Sequence, residues 1–203
     1  MRSAIFGIYF NNVDMIIQYS TEQAITTHFN GIAIIGSCIN SLFVFFGKNK
    51  LKPSTWIFKV YELIPTIDAY IKKNYNSIYN EYIIDRNIFV AKLKFYMDDN
   101  FLQGNYKHNE IREINPVERI LYWFDNFTTN KNNFFPGSAS DDSIIIAYDC
   151  FLMSKNNYEK LIYLSMLNLG DSDTIGMIAS NFYGIYYEFE NVPLNLMNEH
   201  TEF

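Results

Sequence analysis

Two cysteines in 203 residues are too few, and too far apart, for a disulfide framework. Cys38 and Cys150 both stand in apolar surroundings and no C-x-x-C occurs, so they read as two packed thiols in a reducing, intracellular and cytoplasmic setting. Histidine is equally sparse. His28, His108 and His200 make no metal-ligand spacing with one another or with cysteine, which argues against a zinc site. Positive charge is in deficit: charged residues are 19% of the chain and the net charge is −6, so a basic nucleic-acid-binding surface is not expected. No apolar run is long enough for a membrane. The strongest, residues 31–47, has 15 residues between its glycines and is interrupted by Ser37, Asn40 and Ser41, whereas a span needs about 20. It is expected to be the core helix of a soluble protein. The opening MRSAIFGIYFNNVD has Asn11, Asn12 and Asp14 where a leader peptide needs small residues. Strand-type alternation, internal repeats and a composition shift that would mark a boundary are all missing.

What remains is apolar and aromatic. Hydrophobic residues are 49% of the chain and aromatics 18%, with 16 Tyr and 18 Phe. This suffices for a sizeable core and argues against disorder. Helical periodicity runs along most of it. Residues 13–27 place Val13, Ile16, Ile17, Ser20, Ala24 and Thr27 on one face, with Asp14, Gln18 and Glu22 opposite. Residues 31–46 are apolar on every side and belong at the centre. Pro53 and Ser54 open a helix with Trp56, Val60 and Leu63 inward; Pro65 is expected to break or kink it, with 67–74 continuing beyond. Residues 75–97 are read as helix, 103–116 as loop, and Pro116 as the first turn of a helix ending near residue 127. The Asn-, Gly-, Ser- and Pro-rich stretch 128–142 reads as a long loop, and three helices follow at about 143–154, 157–168 and 174–189. The expected class is all-α, with residues 1–203 forming one domain.

The stretch LNLGDSDTIGMIASNFYG, residues 167–184, collects Asp171, Ser172, Asp173 and Thr174 at the start of the last helix. One reading is a helix cap, with Ser172 or Asp173 accepting hydrogen bonds from orphan N–H groups. The other is a cation site. Mg²⁺ takes one or two carboxylates and completes an octahedral shell with water or substrate oxygens. Asp171, Asp173 and the Thr174 hydroxyl would supply such a partial shell. Behind the turn, Gly176, Ser180 and Gly184 form a stripe that would let another backbone approach.

The segment GDSDTIGMIASNFYGIYYEFENVP, residues 170–193, resembles the C-terminal signature of the ADP-ribosylglycohydrolase family: a G-D-[ST]-D-[ST] turn, a helix of small residues, a Y-G pair and a later V-P. Upstream, GSASDDSIIIAYDC, residues 137–150, is similar to the S-S-G-H-D-A-P-M-I-A-Y-D-A segment of its ADP-ribosylarginine hydrolase branch. THFNGIAIIGSCINSLF, residues 27–43, resembles that branch's T-H-N-H-P-T-G stretch, and Met1 with Arg2 the end of its G-N-G-x-x-M-R motif. The resemblance implies an orthogonal all-α bundle with a two-magnesium site. It implies hydrolysis of the bond joining ADP-ribose to a modified protein side chain, arginine in this branch. Carried over, it makes Asp171, Asp173 and Thr174 metal ligands and brings Gly137, Ser138, Ser140, Asp141 and Asp142 near ADP-ribose. It assigns no catalytic residue.

The chain departs from the pattern at its front, where the family has a long portion carrying the other acidic cluster. The sequence therefore suggests half of a binuclear site, with a complementing N-terminal segment as a candidate partner and an inactive ADP-ribose-binding or structural remnant as the alternative. Asp141 stands where the branch has histidine, and Asn30 and Gly31 replace its second His and Pro. His28 matches, and reads more simply as a packed histidine than as a catalytic one. Asp149 also matches, and on a helix it suits an internal polar contact.

Overall fold

The computed structural model describes residues 2–101, 114–128, 135–194 and 196. Among these residues the secondary structure is helical: α1 (Ala4–Tyr9), α2 (Val13–Ile25), α3 (Gly31–Lys48), α4 (Trp56–Asn74), α5 (Tyr79–Asn100), α6 (Pro116–Asn126), α7 (Ser140–Ser154), α8 (Tyr158–Met166) and α9 (Ser172–Tyr187), with short 3₁₀ turns at Pro53–Thr55 and Asn76–Ile78. The all-α expectation is met. Periodicity gives no warning of α1, whose six residues are too few to show a face.

The organising element is α3. Asn30 starts it, its Oδ1 accepting from the N–H groups of Ile32 (2.9 Å) and Ala33 (3.3 Å). It is contacted by α1, α2, α4, α5, α7 and α9, and 72% of its 18 residues are buried. A helix apolar all round needs neighbours all round, and here it has them, as a core helix should. Its Phe43 stacks on Tyr148 of α7 at 4.7 Å, Trp56 stacks on Phe151 at 5.2 Å, and Phe182 of α9 closes the group edge-on to both Phe43 and Trp56. Such pairs contribute about 0.5–1.5 kcal/mol each beyond burial. They fix α3, α4, α7 and α9 relative to one another.

Four sequence expectations need correction. Pro65 does not break α4, which runs unbroken from Trp56 to Asn74. Pro65 is exposed, so the carbonyl its ring deprives of a donor can be hydrated, while Val60, Ile64, Ile67 and Ile71 bury the opposite face. The loop expected over 128–142 ends at Ala139, because residues 140–142 are the first turn of α7; residues 129–134 lie outside the described residues, as do 103–113 of the loop expected at 103–116. Thr27 is exposed beyond the end of α2. The small stripe of α9 divides: Gly176 packs under the Met166 side chain, but Gly184 faces open space. Both cysteines are free and buried, as expected. Burial pushes the Cys38 thiol up to about 12 and raises that of Cys150 as well, which leaves both inert as nucleophiles.

Candidate functional site

A cleft of about 380 Å³ opens where the C-terminal end of α2, one face of α3 and the N-terminal ends of α7 and α9 meet. Gly36, Ser37 and Asn40 of α3 stand on one wall and Ser138, Ala139, Ser140 and Ser143 on the facing one; Thr174 and Ile178 come from α9, and Arg2, Thr27 and His28 are also in the lining. The residues that interrupt the apolar run of α3 are therefore not packing defects. Ser37 and Asn40 recur at the spacing that keeps one helical face toward the cleft. The lining is rich in hydroxyls, Arg2 brings positive charge to it, and among the described residues no carboxylate lines it. Arg2 is fixed by a 2.8 Å hydrogen bond from Nη2 to Thr27 Oγ1, and His28 Nδ1 lies 2.9 Å from the same hydroxyl. His28 is exposed rather than packed in the core. Met1 of the M-R pair lies outside the described residues.

The acidic turn leads into α9 beside this cleft. Its cap is Asp171, not Ser172 or Asp173: the Thr174 N–H donates to Asp171 Oδ1 at 3.4 Å, a long bond. The Ser172 hydroxyl turns away and donates to the Gly170 carbonyl at 3.2 Å. Thr174 stands on the cleft wall, Asp171 is half-buried and Asp173 is exposed. Burial, and next the hydrogen bond to Asp173, raise the Asp171 carboxyl; that bond in turn lowers Asp173. This donor set, two carboxylates and a hydroxyl, fits a hard divalent cation. Among the described residues no group of three or more acidic, His or Cys side chains comes together, so these three atoms are a partial shell at most.

Behind the second wall stands a buried acidic pair. Asp141 and Asp142 are fully buried at the start of α7, and neither lines the cleft. Asp141 accepts from Lys92 Nζ of α5 at 2.6 Å, and the same ammonium donates to the Phe127 carbonyl at 2.7 Å. Asp142 Oδ1 accepts from the Ala139 N–H at 2.9 Å, while its Oδ2 is buried without a partner. Burial, and then the charge of Asp141, push the Asp142 carboxyl up to about 7. Of the five residues expected near a ligand, Ser138 and Ser140 reach the cleft; Gly137, Asp141 and Asp142 support it from behind.

The loop before α7 is bonded to the acidic turn. The Asp171 N–H donates to the Pro136 carbonyl at 2.8 Å. A Cβ on Gly170 would lie 2.1 Å from that carbonyl oxygen, so only glycine lets the two segments approach. Gly137 has φ +92°, and a Cβ there would sit 2.4 Å from Ile175 Cδ1. Gly137→Ala is therefore expected to destabilise the fold by about 1–3 kcal/mol, read as a lower urea midpoint with unchanged slope. A neutral outcome would mean that the loop does not need this conformation.

Asp149, also read from the sequence, is fully buried one helix face away. Arg119 of α6 grips it with two N–H groups, Trp123 Nε1 donates to it at 2.7 Å and the Tyr96 hydroxyl at 2.6 Å. Burial opposes the charge of Arg119, but Asp149 holds the guanidinium above its ordinary range. The internal polar contact expected of Asp149 is present, and it joins α6 to α7.

Comparison with known proteins identifies the family. The model of a family described as ADP-ribosylglycohydrolase matches residues 1–202. A protein of Acanthamoeba polyphaga mimivirus named as an ADP-ribosyl glycohydrolase, L444, is 33% identical over 193 residues, covering 92% of this chain and 37% of its own length. The ADP-ribosylhydrolase ARH1 of Dictyostelium discoideum is 28% identical over 209 residues, covering 95% of this chain and 53% of its own. The chain thus spans between about a third and a half of these curated relatives.

Proposed function

The chain belongs to the ADP-ribosylglycohydrolase family, and on that premise we propose that it hydrolyses the bond between ADP-ribose and a modified protein side chain, arginine by preference. The observation that carries this reading is the junction of cleft and acidic turn: Thr174 is at once a wall residue and the hydroxyl of the D-S-D-T turn. Asp171, Asp173 and Thr174 would hold magnesium. When bound, the ion would supply Lewis-acid charge and a positioned water at the anomeric carbon.

The chain's own side chains do the rest. The serines of the 138–143 segment, with Ser37 and Asn40, offer hydrogen bonds to sugar hydroxyls. Arg2 offers fixed positive charge to a diphosphate, in a forked geometry suited to phosphate oxygens. Gly137 and Asp142, placed behind the wall, hold the loop that presents Ser138 and Ser140. The two buried free thiols support a reducing, intracellular setting.

Arginine preference rests on the match of residues 137–150 to the ADP-ribosylarginine hydrolase branch. It is tested by release of ADP-ribose from arginine-, serine- and acetyl-linked substrates with Mg²⁺ present. Release from the arginine linkage first is expected; release from the serine linkage alone would overturn the assignment. A second reading is favoured by one observation, that the described residues bring only two carboxylates together at the turn. On that reading the chain binds ADP-ribose, and hydrolysis requires a complementing N-terminal segment with further acidic ligands. Binding of ADP-ribose without turnover, with turnover restored by such a segment, is its signature.

A further inference from the structure

We infer that Asp142 is a positioning residue for the cleft: its buried side chain holds the segment 137–140 as a wall and, through Pro136, ties that wall to the acidic turn of α9. The inference rests on the geometry of the cleft and not on which ligand fills it.

Three contacts in series carry the argument. Asp142 Oδ1 accepts the Ala139 N–H at 2.9 Å, across the turn from which Ser138 and Ser140 reach the cleft. Gly137 follows Pro136, whose carbonyl accepts the Asp171 N–H at 2.8 Å. Gly170 lies so close to the same carbonyl that no side chain fits between. The wall and the turn therefore meet in close contact, joined by that backbone hydrogen bond. At the other end Asp142 is anchored by α7, a more completely buried helix than α3, with thirteen of its 15 residues buried. The Oδ2 atom is buried with no hydrogen bond of normal geometry, and the Gly137 backbone N–H acts on the same carboxyl, so both ends of the wall segment bear on Asp142.

The charges that act on Asp142 are few. Asp141 is its neighbour, and Lys92 reaches in from α5 but bonds Asp141. The sole charged residue of α3, Lys48, sits at the far end of that helix, bonded to Ile8 and Asn11. Glu159 and Lys160 of α8 follow the opposite end of α7. From α9, Asp171 connects to it through Pro136. Burial and Asp141 keep the proton on Asp142 until the pH rises to about 7. Above that the anion accepts the Ala139 N–H more strongly than the neutral acid does. The wall is thus drawn tighter as pH rises through the neutral range. Stability follows the opposite sign: a carboxyl raised in the fold favours folding at low pH and loses that contribution as pH climbs toward 7.

The test is a pH titration of backbone amide resonances across the neutral range, on the whole chain. In the wild type, Ala139 and Asp171 should inflect at one shared midpoint near 7. Asp142→Asn keeps an acceptor for Ala139 but cannot ionise, so this inflection should vanish at both positions. An Asp171 inflection unchanged in Asp142→Asn would report Asp171 itself and overturn the coupling. Should that variant fail to fold, the wild type alone decides, because different midpoints at Ala139 and Asp171 would equally overturn it. ADP-ribose added at either side of the midpoint separates the two readings: shared titration in a chain that does not bind ADP-ribose supports the positioning role and removes the proposed ligand.

Discussion

Asp149→Ala is expected to destabilise the chain by about 3–5 kcal/mol, the largest loss of any single substitution described here. The carboxylate is the common acceptor for Arg119, Trp123 and Tyr96, all of them buried. Removing it leaves a guanidinium in the core with no counter-charge, and strips the partner from an indole N–H and a phenol. Against a typical total of about 5–15 kcal/mol, that loss is a large fraction of what keeps a domain folded. Chemical denaturation checks it. The pair itself adds little, since forming it required the desolvation of both ions. Converting Arg119 and Asp149 together to Met and Leu should recover part of the loss, with the orphaned Trp123 and Tyr96 groups setting the remainder. An Asp149→Ala protein as stable as the parent would mean that water or another acceptor reaches Arg119.

Asp171→Ala with Asp173→Ala is expected to abolish turnover, by on the order of 10² or more, while leaving the fold nearly intact. Removing the Asp171 cap costs about 1 kcal/mol, less given its 3.4 Å bond. Asp173 is exposed and caps nothing. The double substitution therefore separates two roles that the sequence confuses. If the turn only caps α9, a small fall in stability is the whole effect, and Mn²⁺ or Mg²⁺ heats measured by calorimetry are the same in parent and variant. If it holds a cation, those heats disappear with the carboxylates. Unchanged turnover in the double variant would remove the metal reading altogether.

The acidic turn was legible because its residues are contiguous, and a short motif carries its own geometry. The all-α class was legible because periodicity is a local signal that survives averaging over a helix. The cleft was legible only in part. Ser37 and Asn40 were visible as interruptions of an apolar helix, but nothing local says that they face the start of α7, about a hundred residues away in sequence. Ser143 and Arg2 carried no signal of their own; Arg2 emerged only through the M-R resemblance. His28 was misplaced because a lone histidine beside an apolar run looks like core, whereas the turn after α2 carries it out to the cleft. Asp141 and Asp142 read as loop residues because Gly, Ser and Pro precede them. Their burial depends on Lys92, contributed by a helix on which aromatic and charged positions are too mixed to show a face.

The Arg119–Asp149 clasp also imposes an order of assembly. Arg119 and Trp123 are the buried side chains of α6, with Ile120 and Tyr122 packed partly buried beside them, so a charge is a large part of what attaches the helix to the body. A guanidinium does not leave water for an unfinished apolar surface. It leaves when Asp149 is already presented from the middle of α7, with Tyr96 of α5 beside it. The pairing of α7 with α8 and α9 spans short stretches of chain and closes cheaply. α6 is accordingly expected to dock last, onto a hairpin of helices already formed: conservative substitutions in α6 should speed unfolding and leave the folding rate nearly unchanged.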